Sequence, residues 1–256
     1  ILCFQLCGAD NGRQSDHHGQ CWRGDVGADR DPPVRERRVR DRRHAVGIAG
    51  EHVEAVRELV EHHVVAAARM ARLGQDGAKA MDIYARPFIT GANIRPGAPR
   101  VAILIGGMGL NADSTQAALG LLPRAITLGF APYGPDLARQ IARARTEGHE
   151  VLLQAPMEGF GGETEAPGAH VLRTSDTSSE TLSRLHWHMS RFPGYVGVGG
   201  YLGAKFTADA RAFTPVLAEI ADRGLFYFDD GSSTRSLAMS LGAESATPIV
   251  RADVVI

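Results

Sequence analysis

Six short apolar runs recur along the chain from residue 101 onward, and each of the first five is followed by a stretch with a different period. The runs are Val101 to Ile105, Ile126 to Ala131, Val151 to Leu153, Tyr195 to Val198, Leu225 to Phe228 and Pro248 to Val250. Helical patterns separate them at about Ser114 to Leu122, Asp136 to Glu147, Ser179 to Arg191, Ala208 to Arg223 and Thr234 to Leu241. A short apolar run reads as a buried strand, and spacings of three and four read as an amphipathic helix. Strand and helix in strict alternation leave little choice of fold: the strands are parallel and joined by right-handed crossovers. The expectation is an α/β layer or barrel over residues 100–256.

Composition bounds what such a domain does. The 256 residues carry a formal net charge of -1, with 44% hydrophobic and 22% charged residues. That excludes a wholly disordered chain and a strongly basic nucleic-acid binder. Basic residues are nearly all Arg, with Lys79 and Lys205 the two lysines, an imbalance that fits codon usage better than phosphate recognition. No apolar run approaches the roughly 18 residues of a membrane-spanning helix. Ile1 to Cys7 is too short for a signal peptide, and a chain beginning at Ile1 says nothing of a leader or anchor upstream.

The first half reads differently. Residues 1–50 mix Gly, Asp and Arg without hydrophobic period and include the run Arg30 to His44 (RDPPVRERRVRDRRH), so they are expected to be an Arg-rich disordered arm. A non-native reading frame would also explain that composition. Cys3, Cys7 and Cys21 all lie there, so no disulfide framework holds the main domain, and their spacing with His17 and His18 matches no zinc module. Between Glu51 and Leu73, Val53, Val56, Leu59, Val60 and Val64 recur at helical spacing, with His52, His62 and His63 read as solvated helix residues. Gly74 to Pro99 reads as a linker, so residues 51–99 are helix and linker.

In a parallel α/β fold, ligands meet the loops at the carboxyl ends of the strands. Those loops are Gly106 to Gly109, Ala131 to Gly134, Gln154 to Glu158, Gly199 to Gly203 and Asp229 to Ser233. The first has no full G-x-G-x-x-G spacing, and Ile126 to Pro132 holds no ribose-binding acid, which argues against a dinucleotide site. A P-loop would need a lysine that is missing. Glu158 and Asp229 suit acid and base roles, although an Asp at this position equally suits a helix cap. Trp187 reads as core. Tyr201, in a site loop, is the better sugar contact. His149 precedes the third strand and belongs at the opposite end.

The order of motifs resembles the divergent polysaccharide deacetylases, relatives of the NodB-type carbohydrate deacetylases. The stretches that carry it are VAILIGGMGLN, ITLGFAPYGPDLARQIARARTEGHEVLLQAPME, PGAHVL, GYVGVGGYLGAKFTADARAFTPVLAEI, RGLFYFDDGSSTRSLA and RADVVI, spanning about residues 81–256 from IYARPF onward. The resemblance implies a distorted parallel (β/α) barrel, incomplete at its carboxyl end because relatives continue past the position of Ile256. It also implies an ancestral reaction in which a bound zinc or other divalent metal activates water to hydrolyse acetyl groups from a glycan.

The departures from that family pattern bear directly on chemistry. Where intact members have an Asp pair, this chain has Gly106 and Gly107; where they have His before Pro-Met-Glu, it has Gln154; where they have Asn-Asn-His, it has Gly199, Gly200 and Tyr201. A catalytic zinc needs about three protein ligands and an open position. No metal or other cofactor is therefore expected. The expected catalytic candidates are Glu158, Asp229 and Asp230, and the expected substrate-binding residues are Gly106, Gly107, Gln154 and Tyr201. The expected partner is a carbohydrate polymer or cell-envelope glycan, and the resemblance points to a periplasmic or membrane-anchored setting. Three classes stay open: a deacetylase working through an altered site, a non-catalytic glycan- or envelope-binding relative, and a gene fragment without function.

Overall fold

A computed structural model describes residues 2–7 (as backbone), 70–87, 98, 100–161 and 168–255. The Arg30 to His44 run, Cys21, most of the amphipathic segment and its three histidines lie outside the described residues. In chain order the elements are β1 (Leu2–Cys7), α1 (Ala80–Ile83), β2 (Arg100–Met108), α2 (Ala112–Leu121), β3 (Thr127–Phe130), α3 (Leu137–Thr146) and β4 (Val151–Met157). Then follow α4 (Ser178–Met189), β5 (Gly197–Leu202), a 3-10 turn (Phe206–Ala208), α5 (Ala210–Asp222), β6 (Phe226–Asp229), α6 (Ala238–Glu244), β7 (Ile249–Arg251) and β8 (Val254–Val255).

Strands β2 to β7 pair in sequence order and in parallel, as the alternating pattern requires. The sheet runs β7-β6-β5-β4-β3-β2-β1-β8, so β7 and β8 stand at its two opposite ends. Yet only Ala252 and Asp253 separate them in the chain. Three Cα steps reach at most about 11 Å. The sheet therefore curls until its edges nearly meet, which is the distorted (β/α) barrel that the motif order implies.

Four expectations need correction. Leu2–Cys7, inside the stretch read as a structureless arm, is a strand antiparallel to β2, with Leu2 opposite Ile105 and Cys7 opposite Arg100. Its apolar sequence LCFQLC is diluted by the Arg-rich residues after it, and its partner is a hundred residues away. β8 also runs antiparallel to β1, so the sheet is not wholly parallel. Met70 to Leu73 are not helical, and the linker contains the single turn α1. Lastly, β2, β4 and β5 extend well past the apolar runs that announce them. Gly106 and Gly107 lie inside β2, Gln154 to Met157 inside β4, and Gly199 to Leu202 inside β5.

Alternation assigns each strand two faces. Leu128, Phe130, Val151, Leu153, Ala155, Met157, Val198 and Tyr227 face the helices and form the core with Leu137, Ile141, Leu185, Met189, Phe213, Val216, Leu217 and Ile220. The other face is the barrel interior, where glycines on β2, β3 and β5 leave room for the larger side chains between them. A Cβ on Gly106 or Gly129 would meet the Gln154 side chain, and one on Gly199 would meet Leu152 and Phe228. Helices are fixed at their starts by side chains: Asn111 accepts from the Ser114 amide, Thr177 and Glu180 close a capping box, and Asp209 accepts from the Ala212 amide.

Candidate functional site at the carboxyl ends of the strands

Gln154 is the centre of the inner face. Because Gly129 on β3 has no side chain, the Gln154 amide crosses that strand and reaches β2, where its Oε1 accepts a 2.6 Å bond from the Gly107 amide. The β2–β3 register slips between Ile105 and Met108, and Gly107 has φ +77°. This bulge is what turns the Gly107 N–H away from the ladder toward Gln154. Gly106, Gly107 and Gln154 are thus brought together. Tyr201 follows Gly199 by two residues, shares the inner face by alternation, pairs in register with Pro156 and is partly exposed.

Glu158 leaves β4 in a different direction. Its Oε1 accepts a 2.6 Å bond from Lys205 Nζ, and its Oε2 accepts 2.7 Å bonds from both the amide and the hydroxyl of Thr174. Its backbone carbonyl accepts from the amides of Lys205 and Phe206. Burial opposes the charge, but the bonds from Lys205 and Thr174 outweigh it and hold the carboxyl below its usual range. One carboxylate thereby joins the loop after β4, the segment before α4 and the loop after β5.

Asp229 and Asp230 end β6. Asp229 is buried; its Oδ1 accepts from the Gly231 amide at 3.1 Å, while its Oδ2 has no hydrogen-bond partner and lies 3.8 Å from Arg251 Nε. Asp230 Oδ1 accepts from the amide and hydroxyl of Ser232 at 2.9 and 2.6 Å. Neither caps a helix, since α6 begins at Ala238. Asp229 shares its strand face with Tyr227, on the helix side and not the interior. Burial pushes the Tyr227 hydroxyl well above its ordinary range, and the charges of Asp229 and Asp230 add to that. The expected residues therefore share one end of the barrel but not one surface: Gly106, Gln154 and Tyr201 face inward, whereas Asp229 sits against the helix layer.

The donor set does not suit the zinc of the ancestral reaction. Gly106 and Gly107 offer no side chain, the Gln154 carbonyl oxygen is engaged by Gly107, and Glu158 is paired with Lys205 and Thr174. Among the described residues no three His, Cys, Asp or Glu side chains stand together in a way that could hold a metal ion.

Two features escape a reading by motif. Lys205 and Thr174 give Glu158 its environment, and the clue to Lys205 was its rarity in an arginine-dominated chain. Trp187, read as core, is instead partly exposed. It stacks on His170 at 3.9 Å and 13°, has Arg191 5.1 Å from its ring centre, and joins Tyr133 and the fully buried His188 in one aromatic cluster. His149 stands where expected, at the amino ends of the strands, with Nδ1 2.8 Å from the Ile126 carbonyl oxygen.

The family described as divergent polysaccharide deacetylase matches residues 103–256. An uncharacterized protein of Haemophilus influenzae is 22% identical over 146 residues, covering 57% of this chain and 51% of that protein. The uncharacterized protein YibQ of Escherichia coli K12 is 22% identical over 154 residues, covering 60% of this chain and 47% of YibQ. This chain spans about half the length of the curated relatives that it matches. The crystal structure of uncharacterized protein ATU2773 from Agrobacterium tumefaciens C58 superposes with a TM-score of 0.68 at 38% identity, covering 73% of this chain and 74% of that one.

Proposed function

The chain belongs to the divergent polysaccharide deacetylase family, and from that premise we propose that it binds a carbohydrate polymer at the carboxyl ends of its strands without removing acetyl groups by the metal-assisted route. The bonding of Glu158 carries this reading. A general base works best with a pKa near the working pH, well above that of an ordinary carboxylate. Glu158 is instead stabilised as its anion, since Oε1 accepts from Lys205 and Oε2 accepts twice from Thr174, which holds its pKa below the usual carboxylate range and makes it a poor proton acceptor. Gln154, at the position of the family's histidine, ties its carbonyl oxygen to Gly107. The glycine-lined inner face and Tyr201 remain as a surface on which a sugar ring can rest.

The test is calorimetric titration of the chain with acetylated and deacetylated oligosaccharides, run beside an assay for released acetate with and without added zinc. Saturable binding without acetate release is the expected result. Acetate release above a heat-inactivated control overturns the non-catalytic part of the reading.

One observation favours a second reading, a metal-free hydrolase. Asp229 Oδ2 is buried without a hydrogen-bond partner, as an unspent base would be. If acetate is released and Asp229→Asn abolishes the release while oligosaccharide binding persists, that reading replaces the first.

A further inference from the structure

The carboxyl end of β5 is straddled by its two neighbours' loops. Phe160 stands on the loop after β4 and is 59% exposed. Arg235 stands on the loop after β6, and its guanidinium carbon lies 5.6 Å from the centre of the Phe160 ring. β4 and β6 flank β5 in the sheet, so this contact passes across the strand end that carries Tyr201 and Leu202. Leu202 itself is exposed and holds φ +65°, a left-handed conformation that a non-glycine residue adopts only under strain. Backbone strain and uncovered apolar side chains thus occur together at one rim.

Arg235 is exposed, and among the described residues no carboxylate lies within ion-pair distance of it. The acids nearest in sequence have other partners: Asp230 accepts from Ser232, and Asp229 accepts from Gly231 beside Arg251. A guanidinium resting on an aromatic ring has its planar fork fixed in orientation, with its N–H edge left for a ligand. The ligand that such an edge selects is a carboxylate, taken by two parallel hydrogen bonds. An exposed ring alongside supplies the apolar face on which the C–H side of a pyranose lies.

We propose that Phe160 and Arg235 form a subsite beside Tyr201 that selects an acidic sugar, its ring on Phe160 and its carboxylate on Arg235. The proposal rests on the glycan-binding reading and adds the class of glycan.

Its test compares a neutral oligosaccharide with a uronate-containing one of the same length, against the wild-type chain, Arg235→Gln and Phe160→Ala, at low and high salt. The wild type is expected to prefer the uronate ligand about tenfold at low salt, and less at high salt. Arg235→Gln is expected to remove the preference while keeping neutral-ligand affinity, and Phe160→Ala to weaken both ligands. Unchanged thermal midpoints confirm that both surface variants fold. Equal affinity of the wild type for the two ligands overturns the acidic subsite and leaves the glycan reading standing. Preference retained in Arg235→Gln overturns the assignment to Arg235. Failure of both ligands to bind overturns the subsite and the glycan reading together.

Discussion

At the residue scale, one half-buried carboxylate and one buried imidazole decide how this domain responds to mutation and to acid. Glu158→Gln keeps the shape of the side chain but replaces a charged acceptor of three bonds by a neutral group that cannot accept on both sides. A charge-assisted hydrogen bond is worth about 1.5–3 kcal/mol, less where the partner is solvated, and the Lys205 side chain is 43% exposed. The expected loss is roughly 1–3 kcal/mol, read by urea denaturation, with Lys205→Met giving a non-additive double variant. His188 acts in the other direction. Burial first, then the charges of His170 and Arg184, lower its pKa from 6.5 to about 3, and neither ring nitrogen has a hydrogen-bond partner. Between those two values the unfolded chain holds a proton that the folded chain refuses, so stability is complete above about pH 6.5 and falls as the pH drops toward 3. The full effect is of order 5 kcal/mol. His188→Leu should flatten the dependence of stability on pH across that window, and an unchanged slope would contradict it. The site was legible in the sequence as positions: strand ends pointed to Gln154, Glu158, Tyr201, Asp229 and Asp230. What each one does was not, because the bonds that decide it come from Thr174, 16 residues beyond Glu158, and from Lys205, 47 residues beyond it.

Elements were legible in kind and order but not at their ends. An apolar run marks a strand only while the residues are apolar, and in β4 the run breaks at Gln154 and Pro156 although the strand continues to Met157. The pairing with β3 has already ended at Leu153, so the N–H missing from Pro156 breaks no bond on that side. Likewise Gly199 and Gly200 read as a loop, because glycine normally weakens a strand, whereas here a Cβ would crowd Leu152 and Phe228 inside the curl at Gly199 and Tyr227 and Met157 on the helix side at Gly200. The antiparallel strands β1 and β8 could not be read at all, since their pairing depends on chain segments about 100 and 250 residues apart. Glycine's part in these strands can be measured. A Cβ at Gly197 would stand 2.6 Å from the backbone carbonyl oxygen of Phe226 on the neighbouring strand, which cannot yield without opening the ladder. Gly197→Ala is expected to cost about 1–3 kcal/mol as an overpacked position. Gly107→Ala meets no atom within 4 Å, and only its φ of +77° opposes it, so about 1–2 kcal/mol is expected there. Denaturation midpoints of the two variants, compared at equal slope, separate steric conflict from backbone strain.

On the scale of the whole molecule, the layer that holds the barrel together and the inner face of the curl are built from different residues. The core between sheet and helices is independent of what lies inside the curl, so Leu128, Val151, Leu153, Val198 and Tyr227 can hold the strands in place whichever residues occupy the interior. That separation lets the family fold persist with glycine at 106 and 107 and glutamine at 154. It also fixes what added metal should do. Zinc that bound the folded chain at the family position would raise the thermal midpoint, because a ligand at a hundred times its dissociation constant adds about 2.7 kcal/mol to folding. Gln154 is a weak neutral donor already turned to Gly107, and Asp229 lies on the opposite face of the sheet from it. The remaining oxygen donors would favour a hard cation over zinc. Titration with zinc is therefore expected to leave the midpoint unchanged. Supplying three donors with Gly106→Asp, Gln154→His and Tyr201→His in one chain should make the midpoint respond, since at 106 the new side chain enters the space that the Gln154 amide now fills. A tight, stoichiometric response of the wild type, lost in Asp229→Asn, would mean that a metal centre has been rebuilt on the other face.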